Sequence, residues 1–125
     1  MASILILDDD FELAKSWQDA LTKAGHTAVI THTSEDAIEQ IKQTTFHKAV
    51  VDLMIETGPG EETDSGIHFL RTLREIENIP LPVLIGVSGY YGSDNGEMAK
   101  NLLKVYGVQH VLMKPFDPDV LVKLI

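Results

Sequence analysis

Acidic side chains follow two short apolar runs of the chain. They are Asp8, Asp9 and Asp10 after the run at residues 4–7, and Asp52 after the run at 48–51. Such runs are typical of buried parallel strands, whose carboxyl ends meet at one edge of a sheet. Carboxylates gathered there repel one another unless a hard divalent cation compensates their charge. The pattern therefore predicts an oxygen-ligand site, with Mg²⁺ as the favoured ion, beside a carboxylate that can act as a nucleophile.

The bulk composition restricts the kind of protein this can be. The 125 residues predict a single globular domain, with 44% hydrophobic and 23% charged residues. The net charge of −9 argues against direct binding to a nucleic-acid backbone. No apolar run has the length of a membrane span, and no secretory signal is recognisable. The absence of cysteine excludes disulfides and thiolate metal sites, and we expect a cytoplasmic protein.

Apolar periodicity divides the chain into alternating strands and helices. Strands are predicted at residues 4–7, 27–31, 49–53, 83–87 and 108–113. Helices are predicted at residues 11–24, 34–43, 66–77 and 97–106, with a short last helix starting at Asp117-Pro118. Repeated βα units predict a parallel sheet with helices on both faces, joined by right-handed crossovers. The site of such a sheet lies beyond the carboxyl ends of its strands.

The residues that could do chemistry all fall at that edge. Besides the four aspartates they include Ser88 after the fourth strand and Lys114 after the fifth. A carboxylate can attack phosphorus, while a hydroxyl and a lysine bind the phosphoryl oxygens, so the set is coherent for phosphoryl transfer. Asp10 has a simpler explanation as a helix N-cap. The histidines show no ligand spacing, and Trp17 is expected in the core.

Four segments closely resemble the receiver domains of two-component response regulators. In chain order they read ILILDDD, VVDLM, VLIGVSG and LMKPF. Each is weak evidence alone, but all four come at a predicted strand end in the order of the family. The resemblance covers essentially the whole chain, so residues 1–125 are expected to form one receiver domain without an output domain. It implies an α/β fold of the flavodoxin-like, doubly wound type, with strand order 2-1-3-4-5 and three α/β/α layers.

The resemblance also implies which residues accept phosphate and bind the metal. Asp52 would be the phosphoacceptor. Mg²⁺ would be held by Asp8, Asp9 and Asp52 and by the backbone carbonyl of Met54. The phosphoryl group would come from a sensor histidine kinase or a histidine phosphotransfer protein. The domain would then be a signalling switch rather than an enzyme that acts on an outside substrate.

The same resemblance assigns phosphoryl-binding roles at the ends of the last two strands. Ser88 would supply a switch hydroxyl next to Gly89, and Lys114 would pair with the phosphoryl oxygens. The peptide bond between Lys114 and Pro115 would be cis, a state that proline makes accessible. The phosphorylated domain would change its contacts with an unknown downstream protein, with no direct binding to nucleic acid or membrane.

Two features depart from the family pattern near this edge. The segment at 54–65 is several residues longer than usual, and it carries four acids and no base. Val111 stands three positions before Lys114, where most receivers have an aromatic switch side chain. The usual aromatic switch is therefore not expected here, and the sequence does not indicate what replaces it.

Two other functions stay open at this point. The order of Asp8-x-Asp10, Ser88 and Lys114 also resembles that of phosphohydrolases of the haloacid-dehalogenase kind. That family needs a longer chain, and it leaves Asp52 unexplained. The second alternative is a receiver-like interaction module that is never phosphorylated. Such modules commonly lose one of the site residues, whereas this chain carries the full set.

Overall fold

The structure is a computed structural model, and it describes residues 1–52, 66–76, 78–88 and 105–125. Within these ranges it contains five strands and four helices. The strands are β1 (Ser3–Leu7), β2 (Thr27–Thr31), β3 (Lys48–Asp52), β4 (Val83–Ser88) and β5 (Val108–Met113). The helices are α1 (Phe11–Lys23), α2 (Ser34–Gln43), α3 (Gly66–Glu75) and α4 (Pro118–Lys123).

All five strands pair in parallel within one sheet, in the order β2-β1-β3-β4-β5. The predicted flavodoxin-like α/β fold is therefore confirmed. Strands β1 and β3 are neighbours although α1, β2 and α2 lie between them in the chain. Leu7 pairs with Val51 in the register of these two strands. The residues that follow, Asp8 and Asp52, therefore come side by side at the carboxyl edge.

The alternation of apolar side chains along the strands creates a core on each face of the sheet. Leu5 and Leu7 belong to the core beneath α2 and α3, whereas Ile4 and Ile6 belong to the core beneath α1 and α4. Because both faces are covered, the strands read as continuous apolar runs. The two-sided covering gives the three predicted layers.

The predicted boundaries differ from the observed ones by at most two residues. One difference concerns the site: Ser88 is the last residue of β4, where it pairs with Met113, and not the first residue of a loop. Helix α3 ends at Glu75, two residues earlier than predicted. Most of the helix predicted at 97–106 and the whole acidic segment at 54–65 lie outside the described residues. No helix in the described ranges has the length and apolar character needed to cross a bilayer.

Candidate functional site

Two buried carboxylates stand side by side at the carboxyl edge of the sheet. Asp52 is the last residue of β3, and Asp8 directly follows β1. The Asp8 backbone N–H donates to the Thr31 carbonyl oxygen at 3.1 Å, which ties the end of β1 to β2. Asp8 is fully buried and Asp52 is 2% exposed. Burying two like charges together is costly unless other charges compensate them, so this arrangement marks a functional site.

A hydrogen-bonded turn gives the three consecutive aspartates different tasks. Asp8 Oδ1 accepts the backbone N–H of Asp10 at 2.8 Å. Asp10 Oδ1 accepts the N–H of Leu13 at 3.1 Å and so caps α1, which confirms the prediction that Asp10 is an N-cap. The side chain of Asp9 is exposed. Capping therefore accounts for one acid only, and Asp8 and Asp9 are left for other chemistry.

Lys114 lies between the two buried carboxylates. Its Nζ is 3.1 Å from Asp8 Oδ2 and 3.1 Å from Asp52 Oδ2. Its side chain is 24% exposed, so most of the lysine is withdrawn from solvent. The peptide bond from Lys114 to Pro115 is cis. One ammonium group thus meets the negative charge of Asp8 and Asp52, with the Asp9 carboxylate close by.

The titration of these groups is set by burial and by their mutual charges. Burial raises the pKa of Asp8, although the hydrogen bond from Asp10 and the charge of Lys114 act in the opposite direction. Burial by itself would lower the pKa of Lys114, but the carboxylates of Asp52 and Asp8 outweigh it, and the pKa is raised. The lysine therefore remains charged, while the site holds more acid than this one base can neutralise.

The donor set fits a hard divalent cation. Asp8, Asp9 and Asp52 each offer a carboxylate oxygen, and these oxygens lie within 4.8 Å of one another. Mg²⁺ prefers oxygen ligands and keeps several of its waters, which requires a side open to solvent. The exposed Asp9 provides that side. Met54, whose backbone carbonyl is the further predicted ligand, lies outside the described residues.

Ser88 ends the strand next to Asp52. In the register of β3 and β4, Asp52 pairs with Val87, so Ser88 is one residue further along the neighbouring strand. Its position also adjoins β5, where it pairs with Met113 directly before Lys114. Gly89 lies outside the described residues. The structure therefore brings Asp8, Asp9, Asp52 and Lys114 together and places the Ser88 backbone at the same edge.

Gly66 supports the site in a way that sequence reasoning missed. It begins α3 so close to β3 that an added Cβ would collide with the Asp52 carbonyl oxygen and stand 2.7 Å from Val51 Cγ1. A residue without a side chain is needed for this approach. Gly66 therefore fixes how closely α3 meets the strand that carries Asp52. The sequence shows a glycine at a helix start, but nothing in it indicates the contact.

Two further ring residues contact the site. His32 Nδ1 is 3.1 Å from the Asp8 backbone carbonyl oxygen, and its ring centre is 5.8 Å from that of Phe11. Trp17 is fully buried in the core, as predicted. Its ring centre is also 5.9 Å from Lys114 Nζ, which sequence spacing could not show. These contacts connect β2 and α1 to the carboxylate cluster.

Known proteins share the fold over nearly the whole chain. Residues 4–125 match the family described as the response regulator receiver domain. A response regulator receiver domain protein (CheY-like) from Methanospirillum hungatei JF-1 superposes with a TM-score of 0.76, at 24% identity, over 99% of this chain and 90% of that chain. The chemotaxis response regulator CheY4 of Vibrio cholerae gives a TM-score of 0.79 at 22% identity, covering 99% and 95%. NtrX from Brucella abortus gives 0.80 at 22% identity, over 98% of this chain and 26% of that one.

Proposed function

The chain belongs to the response regulator receiver domain family, and on that premise we propose that Asp52 accepts a phosphoryl group from a phosphohistidine partner. The observation that supports this most is the burial of Asp52 beside Asp8, with one Lys114 ammonium 3.1 Å from both. The partner is a sensor histidine kinase or a histidine phosphotransfer protein. The phosphorylated domain then changes its contacts with a downstream protein.

In the transfer step, one carboxylate oxygen of Asp52 attacks the phosphorus atom of the partner's phosphohistidine. An O–P bond forms and gives an acyl phosphate, while the N–P bond breaks. Its electron pair stays on the imidazole nitrogen, which takes up a proton. Charge spreads over the equatorial phosphoryl oxygens during such a transfer. Lys114 already lies 3.1 Å from Asp52 Oδ2, so its ammonium is placed to pair with one of these oxygens.

Asp8, Asp9 and Asp52 would hold Mg²⁺, together with the backbone carbonyl of Met54. When bound, the ion neutralises carboxylate charge and binds phosphoryl oxygens. Asp8 is buried and held by the N–H of Asp10, so its carboxylate is oriented in advance. Asp9 is exposed and keeps the freedom to adjust. The two acids thus combine one fixed ligand with one adaptable ligand.

The response is proposed to spread through the ends of β4 and β5. The Ser88 hydroxyl would donate to a phosphoryl oxygen, with Gly89 beside it. Because Ser88 pairs with Met113, a shift at the end of β4 would reach the residue before Lys114. Val111 is partly buried and packed against the core. As a β-branched residue it has little rotamer freedom, so the relay would use the strand ends instead of an aromatic side chain.

The test is the intact mass of the protein after treatment with acetyl phosphate, with Mg²⁺ or with a chelator. We expect one added phosphoryl group in wild type with Mg²⁺, and none with the chelator or in Asp52→Asn. Asp10→Asn is the matched control, because asparagine caps a helix as well as aspartate does and labelling should persist. An undiminished mass gain in Asp52→Asn would overturn the proposal. A folded wild-type protein without any mass gain would favour the interaction module that is never phosphorylated.

A further inference from the structure

Trp17, the only tryptophan of the chain, lies beside Lys114 at the carboxyl edge of the sheet. Trp17 is on α1, fully buried in the core between that helix and the sheet. The Lys114 Nζ lies over its ring, 5.9 Å from the ring centre. An ammonium group within about 6 Å of an indole ring is attracted by the negative face of the ring, and tryptophan is the strongest partner of this kind. The indole is thus a third contact of Lys114, besides the two carboxylates.

The Trp17 ring also packs against Phe116, which follows Lys114 in the chain. The Phe116 ring stacks on Trp17 with 5.4 Å between ring centres and 15° between ring planes. Phe116 and Lys114 are two residues apart, on either side of Pro115. One buried side chain of α1 therefore contacts both the charged end of Lys114 and the ring of Phe116, two residues further along the chain. Contacts at two points restrict where the ammonium can go.

A tryptophan at this position buries a polar N–H group, which an apolar side chain of similar shape would not do. Its Nε1 is buried and has no hydrogen-bond partner among the described residues. An unpaired buried donor destabilises a protein, and a leucine or phenylalanine would fill apolar space without one. Compared with leucine or phenylalanine, tryptophan offers a more electron-rich ring face, and the Lys114 ammonium lies over that face.

We propose that Trp17 is a positioning residue, which holds the Lys114 ammonium at the place where the phosphoryl group arrives. The inference rests on the proposed function, because Lys114 must act on the phosphoryl oxygens for its position to affect the reaction. The site residue that the Trp17 ring contacts is Lys114, so its effect on the reaction should pass through the position of that ammonium.

The experiment is a double-mutant cycle of Trp17→Leu with Lys114→Met, with the rate of labelling by acetyl phosphate and Mg²⁺ as the readout. We expect Trp17→Leu to slow labelling about fivefold when Lys114 is present, from the size of a cation–π contact whose ammonium is partly exposed to solvent. In the Lys114→Met background the same substitution should have no further effect. An equal slowing in both backgrounds would show a merely structural role and overturn the inference, as would no slowing in either.

Two variants guard against a trivial loss of folding. Trp17→Phe keeps an aromatic face and the stacking on Phe116, so it should slow labelling by only about twofold. If Trp17→Leu does not fold, the cycle is run with Trp17→Phe and judged by the same criterion. Leu21→Ala is the matched control: it opens a cavity in the same core cluster, one turn further from the site. It should lower stability and leave the rate of labelling unchanged in both backgrounds.

A readout without phosphate separates this inference from the proposed function. Trp17 supplies the only indole N–H resonance of the chain. In the metal-free protein, Lys114→Met should shift that resonance more than His47→Ala, a substitution at the opposite end of the sheet. Equal or absent shifts would contradict a contact between indole and ammonium. Failure of wild type to be labelled would instead overturn the proposed function, whatever the resonance does.

Discussion

The two ends of the sheet differ in how their polar groups are paired. At the amino end, His26 Nδ1 accepts the N–H of Ala2 at 3.0 Å, and His47 Nδ1 accepts the N–H of Ser3 at 2.9 Å. The amino end is closed further by Lys48, which donates to the Leu124 carbonyl oxygen at 2.8 Å. Each contact matches one donor with one acceptor. Such hydrogen bonds connect the two ends of the chain to the amino end of the sheet.

At the carboxyl end of the sheet, by comparison, the carboxylates outnumber the cations. The buried charged residues of the described part, Asp8 and Asp52, both lie there, and the ammonium of Lys114 serves both of them. Asp9 adds a third carboxylate. The contrast shows that the carboxyl end is distinguished by buried carboxylate charge that one lysine does not neutralise. The surplus of carboxylate charge gives a cation a physical reason to bind at this end.

The largest effect should follow from removing the lysine that partly balances the site. Lys114→Met leaves two buried carboxylates without their cation. Because Lys114 is itself 24% exposed, we expect a loss of about 2 kcal/mol in the free energy of unfolding when no metal is present, less than the roughly 3–5 kcal/mol of a fully buried pair. Mg²⁺ should restore much of that loss, because it binds the folded protein and supplies the missing charge. Urea unfolding with and without Mg²⁺ measures both quantities.

The matched control for this variant is Lys48→Met at the amino end. It removes one hydrogen bond to a carbonyl group, so the expected loss is about 1 kcal/mol and independent of Mg²⁺. If both variants lost the same free energy of unfolding, and Mg²⁺ restored neither, the proposed difference between the two ends would be wrong.

A smaller effect is expected from the exposed acid of the cluster. Asp9→Ala should lower the affinity for Mg²⁺ about tenfold or more, at least about 1.4 kcal/mol, while the stability of the metal-free protein changes little. Calorimetric titration measures the affinity. Asp10→Asn provides the comparison, since it changes a neighbouring acid and preserves the helix cap. If both variants bound Mg²⁺ equally well, Asp9 would not be a ligand.

The smallest effect belongs to the amino end. His47→Ala removes the acceptor of the Ser3 N–H and should cost about 1 kcal/mol of stability. Mg²⁺ affinity and the rate of labelling should be unchanged, because the substitution lies at the other end of β3. Unfolding curves and metal titrations on the same preparations test this. A change in Mg²⁺ affinity would show that the two ends are coupled.

The sequence predicted the strands and helices of the described ranges, and it predicted that the candidate site residues share one edge, because strand ends in a parallel sheet collect there. That Asp8 lies beside Asp52 followed only from the strand order 2-1-3-4-5 implied by the family resemblance, which makes β1 and β3 neighbours. The contacts it missed join residues far apart in the chain: Lys114 and Asp8 are separated by 106 positions, and His47 and Ser3 by 44. Neither the partial burial of Lys114 nor the close approach of Gly66 to Asp52 produces a periodic pattern in the sequence. Such contacts depend on the packing of side chains in three dimensions, and local spacing carries no record of it.

The most direct test of the account is to locate the phosphoryl group on the labelled protein. Wild type treated with acetyl phosphate and Mg²⁺ is reduced with borohydride, which converts an acyl phosphate to an alcohol and releases phosphate, and its peptides are then weighed. We expect the modification at Asp52 alone, and only when Mg²⁺ is present. Modification at Asp8, as expected for a phosphohydrolase of the haloacid-dehalogenase kind, or labelling that ignores Mg²⁺, would contradict it.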